Sequence, residues 1–275
     1  MAHTKSARTK STQSRPARPR ARALAPQQLA LALPRGHGGA RTGAGRPRSG
    51  KSYVPHRKRA TLSRHEPVHI TVRLVRRLPR LRGRRPFEII EGALRAANEK
   101  GGLRLLHYSV QDDHLHLMAE ARPEEAPAGS VPRVADSKRR ATRLVTSRMR
   151  GFGVRLARRL NKLFRRRGQL IAERYHAEPL RTPRQVRNCY VYVFGNRRKH
   201  LAQRGRTFSG GWVDPFSSGV FFGGWRSPPD RMSTWANHDP PPIVSPRTWL
   251  ARSGWLRHGP IDPGDVPVRA RGARA

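Results

Sequence analysis

Two histidines set two residues apart, in Asp113-His114-Leu115-His116-Leu117, are the first residues of this chain whose types and spacing could do chemistry. Successive side chains of a strand face opposite ways, so His114 and His116 share one face and Leu115 and Leu117 the other. With the leucines buried, the two imidazoles stand side by side at a spacing that suits two ligands on one metal ion. Two half-exposed histidines on a sheet surface give the same pattern, so the pair gains meaning only from a second constellation. Tyr192 and Asn196 supply one: they lie four apart in a helical pattern and therefore on one helix face. A phenolic hydroxyl and an amide oxygen one turn apart offer a nucleophile and a neutral metal ligand on one rigid element. Tyr175 and Tyr190 are the rival nucleophiles. Tyr175 sits in extended chain beside His176 and Tyr190 falls on the stripe its helix should bury, which favours Tyr192.

The elements that must position these residues are legible from periodicity. Val68, Ile70, Val72 and Leu74 alternate with His69, Thr71 and Arg73, a first strand. His69 and Arg73 share its polar face, where they could meet phosphate or simply be solvated. A basic, turn-rich stretch leads to Pro86 at a helix start, followed by Phe87, Ile90, Leu94 and Ala97 at helical spacing and Gly101-Gly102 as the stop. Leu103 to Val110 and His114 to Glu120 predict two strands joined by a short turn at Gln111-Asp112-Asp113, so the histidine pair opens the second arm of a hairpin. After a Pro-rich loop, a long helix is expected from about Asp136, with Val145, Met149, Phe152, Leu156, Leu160 and Leu163 on its apolar face. Gly151 and Gly153 in its middle argue for a break. Gln169 to Leu180 is extended. Thr182-Pro183-Arg184-Gln185 then starts a helix running to about Gln203, through an N-cap, a proline at the first position and a capping-box glutamine; Val186, Tyr190 and Val193 form its buried stripe.

Charge bounds the partner. The 275 residues carry 58 Lys+Arg against 17 Asp+Glu, a formal net charge of +41. Self-repulsion on that scale calls for a polyanion, and nucleic acid is the natural one. Residues 1–65 hold too few large apolar groups to offset ordering and are expected to form a disordered basic arm. A lone cysteine, Cys189, excludes an internal disulfide framework and favours a reducing compartment. No apolar run reaches the length of a membrane span, and Leu29 to Leu33 is too short for a leader, so a cytoplasmic location is expected. Residues 205–275 hold all five tryptophans among many Gly and Pro. Such aromatics can stack on bases or pack an irregular segment onto a domain, and packing is the favoured reading.

This order of elements, with His-Leu-His at 114–116, Arg174-Tyr175-His176-Ala177, and Tyr192-Val193-Phe194-Gly195-Asn196-Arg197-Arg198-Lys199-His200, resembles the single-tyrosine transposases of the HUH class, and among them the REP-associated tyrosine transposases. The resemblance covers residues 66–204. It implies an α+β fold, a ferredoxin-like antiparallel sheet with helices on one face. It also implies a divalent ion, Mg²⁺ or Mn²⁺, held by His114, His116 and the polar residue one turn after the tyrosine, by position Asn196. Whether Asp112 or Asp113 assists is left open. Tyr192 would then attack a phosphodiester of single-stranded DNA, at hairpin or palindromic repeats, to give a 5′-phosphotyrosine and a free 3′-hydroxyl, in a monomer or homodimer. A nucleic-acid-binding module on the same fold, without catalysis, is the alternative. A basic RNA-associated protein would match the charge but leave the His-Leu-His pair unexplained.

Overall fold

The computed structural model describes residues 60–122, 134–230 and 242–267. Of the expected basic arm, residues 1–59 lie outside the described residues. In the remainder Leu62 is buried, with its backbone N–H donating to Thr142 Oγ1 at 3.0 Å.

Seven elements run in the order β1 (Pro67–Arg73), α1 (Arg84–Glu99), β2 (Leu103–Val110), β3 (His114–Ala121), α2 (Val134–Leu163), β4 (His176–Pro179) and α3 (Pro183–Ala202). The strands form one sheet in the order β2-β3-β1-β4, antiparallel at every pairing. That is the ferredoxin-like split βαβ arrangement in an α+β chain. Pro86 falls in the first turn of α1, where its missing N–H leaves no bond unmade, and the helix begins two residues earlier at Arg84. α2 is a single helix of 30 residues despite its glycines. Gly153 has a packing reason, because a Cβ there would come within 2.7 Å of Ile171 Cδ1. The extended stretch before α3 meets β1 twice, first where Leu74 bridges Ile171 and then along β4.

Alternation divides the core in two. Val68, Ile70 and Val72 of β1 and Leu115, Leu117 and Ala119 of β3 pack with Phe87, Ile90 and Leu94 of α1 and Val145, Phe152 and Leu156 of α2. Met118 and Leu106 point the other way, to Val186, Tyr190, Val193 and Phe194 of α3. A register shift between Leu105 and His107 turns Leu106 and His107 to this same side. The helices therefore do not all lie on one face as the resemblance implied: α1 and α2 share a face and α3 covers the other. The edge strand β2 and its central neighbour β3 are buried almost throughout, so their second face is covered as well.

The aromatic-rich C-terminal residues supply part of that cover. They include the short helix α4 (Trp249–Arg252) and two 3₁₀ turns at Ser218–Phe221 and Gly254–His258. Phe222, Trp255 and Ile261 join the α3 side, and Phe216 joins the α1 side with its ring 5.0 Å from that of Phe87. Arg82 and Asp214 make a buried two-pronged ion pair, with Nη2 to Oδ1 at 2.6 Å and Nη1 to Oδ2 at 2.9 Å. Among the described residues no helix is long and apolar enough to cross a membrane.

Candidate active site

The site forms where the C-terminal end of β1, the N-terminal end of β3 and the middle of α3 meet. Register sets it: Thr71 faces His116 and Arg73 faces His114 across the β1–β3 pairing. The rings of His114 and His116 stand 4.6 Å apart at 81°. From α3, the Tyr192 ring lies edge-on to His116, with centroids 4.8 Å apart, and 5.6 Å from His69. Arg197, one residue beyond Asn196, donates to Asp112 Oδ2 in the β2–β3 turn at 2.7 Å. Tyr192 thus touches the second histidine while Arg197 reaches the turn before the first, and Asn196, one turn after Tyr192 on the same helix, is buried.

His116 is 2% exposed. Its Nδ1 is shared between His69 Nε2 and Thr71 Oγ1, each at 3.3 Å, while its Nε2 is buried without a hydrogen-bond partner among the described residues. The buried Asn196 amide likewise has an unpartnered nitrogen, and amide oxygen and nitrogen are assigned rather than observed. Buried polar atoms are rarely left unpaired, and the His116 Nε2 and the Asn196 amide nitrogen are two of those left so among the described residues. Burial, reinforced by the charges of His69, His114 and His200, pushes the His116 pKa down to about 2; burial and His176 bring His69 down to about 4. Both rings are therefore neutral at physiological pH, with a lone pair to give. His114 is more open, its Nδ1 held by Asp113 Oδ1 at 2.7 Å.

These contacts answer the question of the turn carboxylates. Burial alone would raise Asp112, but the hydrogen bond and charge of Arg197, with Arg82 and Arg204 beyond, hold it below the usual range. Asp112 thus braces α3, and Asp113 orients His114. Among the described residues no group of three His, Cys, Asp or Glu side chains is placed to hold a metal.

Tyr192 is half-buried; burial and Cys189 raise its pKa while Arg73 opposes them. The rival tyrosines are committed elsewhere. Tyr190 is 1% exposed, and its hydroxyl donates to the Ala251 carbonyl at 2.8 Å. Tyr175 packs beside the α1 side of the core, its hydroxyl 3.3 Å from Thr146 Oγ1. His107 is buried beneath the rings of Tyr190, Phe194 and Phe222 with Nδ1 3.0 Å from Ser218 Oγ, and is structural.

The chain is similar in fold to a solved structure of a REP-associated tyrosine transposase bound to a REP hairpin, at 17% identity and a TM-score of 0.42, over 60% of this chain and 82% of that one. The likeness is to a transposase. No family model and no curated protein matches.

Sequence reasoning missed the role of His69. Alternation places it on the same side as Thr71 and Arg73, but that side reads as solvated or phosphate-facing. In the structure Tyr192 of α3 packs against it and His69 becomes a half-buried partner of His116. The signal was a β1 polar face that pairs with the histidine strand; its register is a tertiary fact.

Proposed function

We propose that the protein is a metal-dependent, cytoplasmic, single-stranded DNA nickase and transposase that cleaves and rejoins strands through a 5′-phosphotyrosine on Tyr192, at hairpin or palindromic repeats. One observation carries this reading: Tyr192 packs directly on His116, whose buried Nε2 has no hydrogen-bond partner among the described residues while its Nδ1 is held from behind. A surface histidine pair would not need that support.

The residues fit a divalent ion. His114, His116 and Asn196 are three neutral donors, which leaves the full charge of Mg²⁺ or Mn²⁺ for phosphate oxygens. Such an ion, when bound, polarises the scissile phosphate. The chain's own work is positioning: α3 carries the nucleophile on a rigid element, and the Arg197–Asp112 bond fixes that helix against the hairpin turn. In the reaction the Tyr192 oxygen loses its proton and bonds to phosphorus. The bond from phosphorus to the 3′ oxygen breaks, and that oxygen leaves as a hydroxyl after taking up a proton. A second 3′-hydroxyl can reverse the step and join strands without another energy source.

The deciding experiment incubates the full chain with hairpin-bearing single-stranded oligonucleotides and Mn²⁺, followed by denaturing electrophoresis and peptide mapping. A covalent adduct on Tyr192, lost in Tyr192→Phe with DNA affinity kept, is the expected result. An adduct on another tyrosine would move the site; no adduct on any single strand would leave a binding module.

A further inference from the structure

At the opposite end of the sheet from the histidines, a cleft of about 610 Å³ opens where the chain entering β1, the end of β3, the residue before the α3 cap and the start of α4 come together. Its cations are Arg64, Arg122, Arg181 and Arg247, drawn from four separate stretches of sequence. Two carboxylates also line it, and both are engaged. Glu120, 2% exposed, accepts from the backbone N–H groups of Arg247 and Thr248 and from Thr248 Oγ1. Glu66 lies 3.9 Å from Arg181. Glu120 therefore serves to tie residues 247–248 to β3, which holds the Arg247 side chain at the rim beside Arg122.

The arginines crowd one another. Burial and the neighbouring charges of Arg247 and Arg122 together depress the pKa of Arg104, which lies behind Glu120, and Glu120 only partly compensates. A fold gains nothing from gathering like charges from four stretches around one cleft unless an anion comes between them. Six residue steps along β3 separate His114 from Glu120, about 20 Å at strand rise. That distance is too great for one phosphate to touch both places and short enough for one strand to reach both.

We propose that this cleft is a second nucleic-acid site, in which Arg122 and Arg247, with Arg64 and Arg181 beside them, grip the phosphate backbone of a single strand. It needs neither the metal nor Tyr192, and it places the flanking part of a bound strand along the sheet.

The test measures binding of the full chain to a labelled single-stranded 30-mer over a range of salt concentrations, without divalent ions. Arg122→Gln together with Arg247→Gln removes two phosphate contacts, so the slope of log affinity against log salt should fall by roughly 1.4–1.8. A control pair on the exposed face of α2, Arg139→Gln with Arg143→Gln, removes the same charge and should leave the slope nearly unchanged. Equal loss from both pairs would show only general attraction to a basic protein and overturn the site, as would an unchanged slope in the cleft pair. Thermal melts confirm that both variants are folded. Because no cleavage is read, failure here is separate from failure of the proposed reaction.

Discussion

His116 shows how much of a site depends on what stands behind it. A ligand imidazole offers one nitrogen to a metal only if the other is fixed, and here His69 and Thr71 share that task. Thr71→Val keeps the strand shape but removes the hydroxyl, and His69→Gln keeps a polar group while changing its reach. Either change should weaken Mn²⁺ affinity, read by titration of the free protein, by about 10–100-fold. Asp113→Asn, whose partner His114 is more open to water, should cost less. Equal affinity in all three variants would mean that the histidines are not metal ligands oriented by these neighbours.

At the scale of elements, α3 matters most because it carries the proposed nucleophile Tyr192 and the proposed ligand Asn196 together with Arg197, which braces it on Asp112. Its N-terminus is closed by a full capping box: Thr182 Oγ1 accepts from the Gln185 N–H, and the Gln185 side chain accepts from the Thr182 N–H. Thr182→Ala should cost about 1 kcal/mol of stability in urea denaturation. Farther along, a Cβ at Gly195 would strike the Asp265 carbonyl, so Gly195→Ala should push the C-terminal segment off the helix beside Asn196. Strand β2 carries a pH dependence. Complete burial pushes His107 down to about 3, against an ordinary 6.5. The unfolded chain takes up a proton that the folded one refuses, so this contribution is intact above pH 6.5 and is lost as pH falls from there toward 3. Thermal melts between pH 7 and 4 should show that decline, and His107→Gln, still able to reach Ser218, should lessen it, the rest coming from His69 and His116, which burial depresses in the same way.

For the molecule as a whole, the C-terminal residues are part of the core. Ending the chain at residue 204 would remove Phe216, Phe222, Trp255 and Ile261 and uncover Tyr190 and Phe194. Such a fragment should aggregate or melt without cooperativity. Asp214→Ala tests the same attachment with one side chain. It leaves the buried Arg82 guanidinium over the Phe216 ring and, among the described residues, with the Val110 carbonyl as its remaining hydrogen-bond acceptor, and should destabilise by about 3–5 kcal/mol in urea.

Local order was legible in the sequence because it follows from local physics. Alternation in β1 and in the His114 strand, the capping box at Thr182 and the stripe of Val186, Tyr190 and Val193 are each written within a few residues, and the structure reproduces them. Spacing alone set His114 beside His116, and Tyr192 one turn before Asn196. What lay beyond reach was every fact that joins distant residues. That β1 lies beside β3 with Thr71 opposite His116, that α3 covers the face carrying His69, that Arg197 meets Asp112, and that the tryptophan-rich tail completes the core are matters of register and packing. Glycines in α2 argued for a break because propensity counts only the local cost; the core gained along one 30-residue helix outweighs it, and Gly153 is small because Ile171 must pass. Period and capping are properties of a segment, whereas burial is a property of what the rest of the chain brings against it.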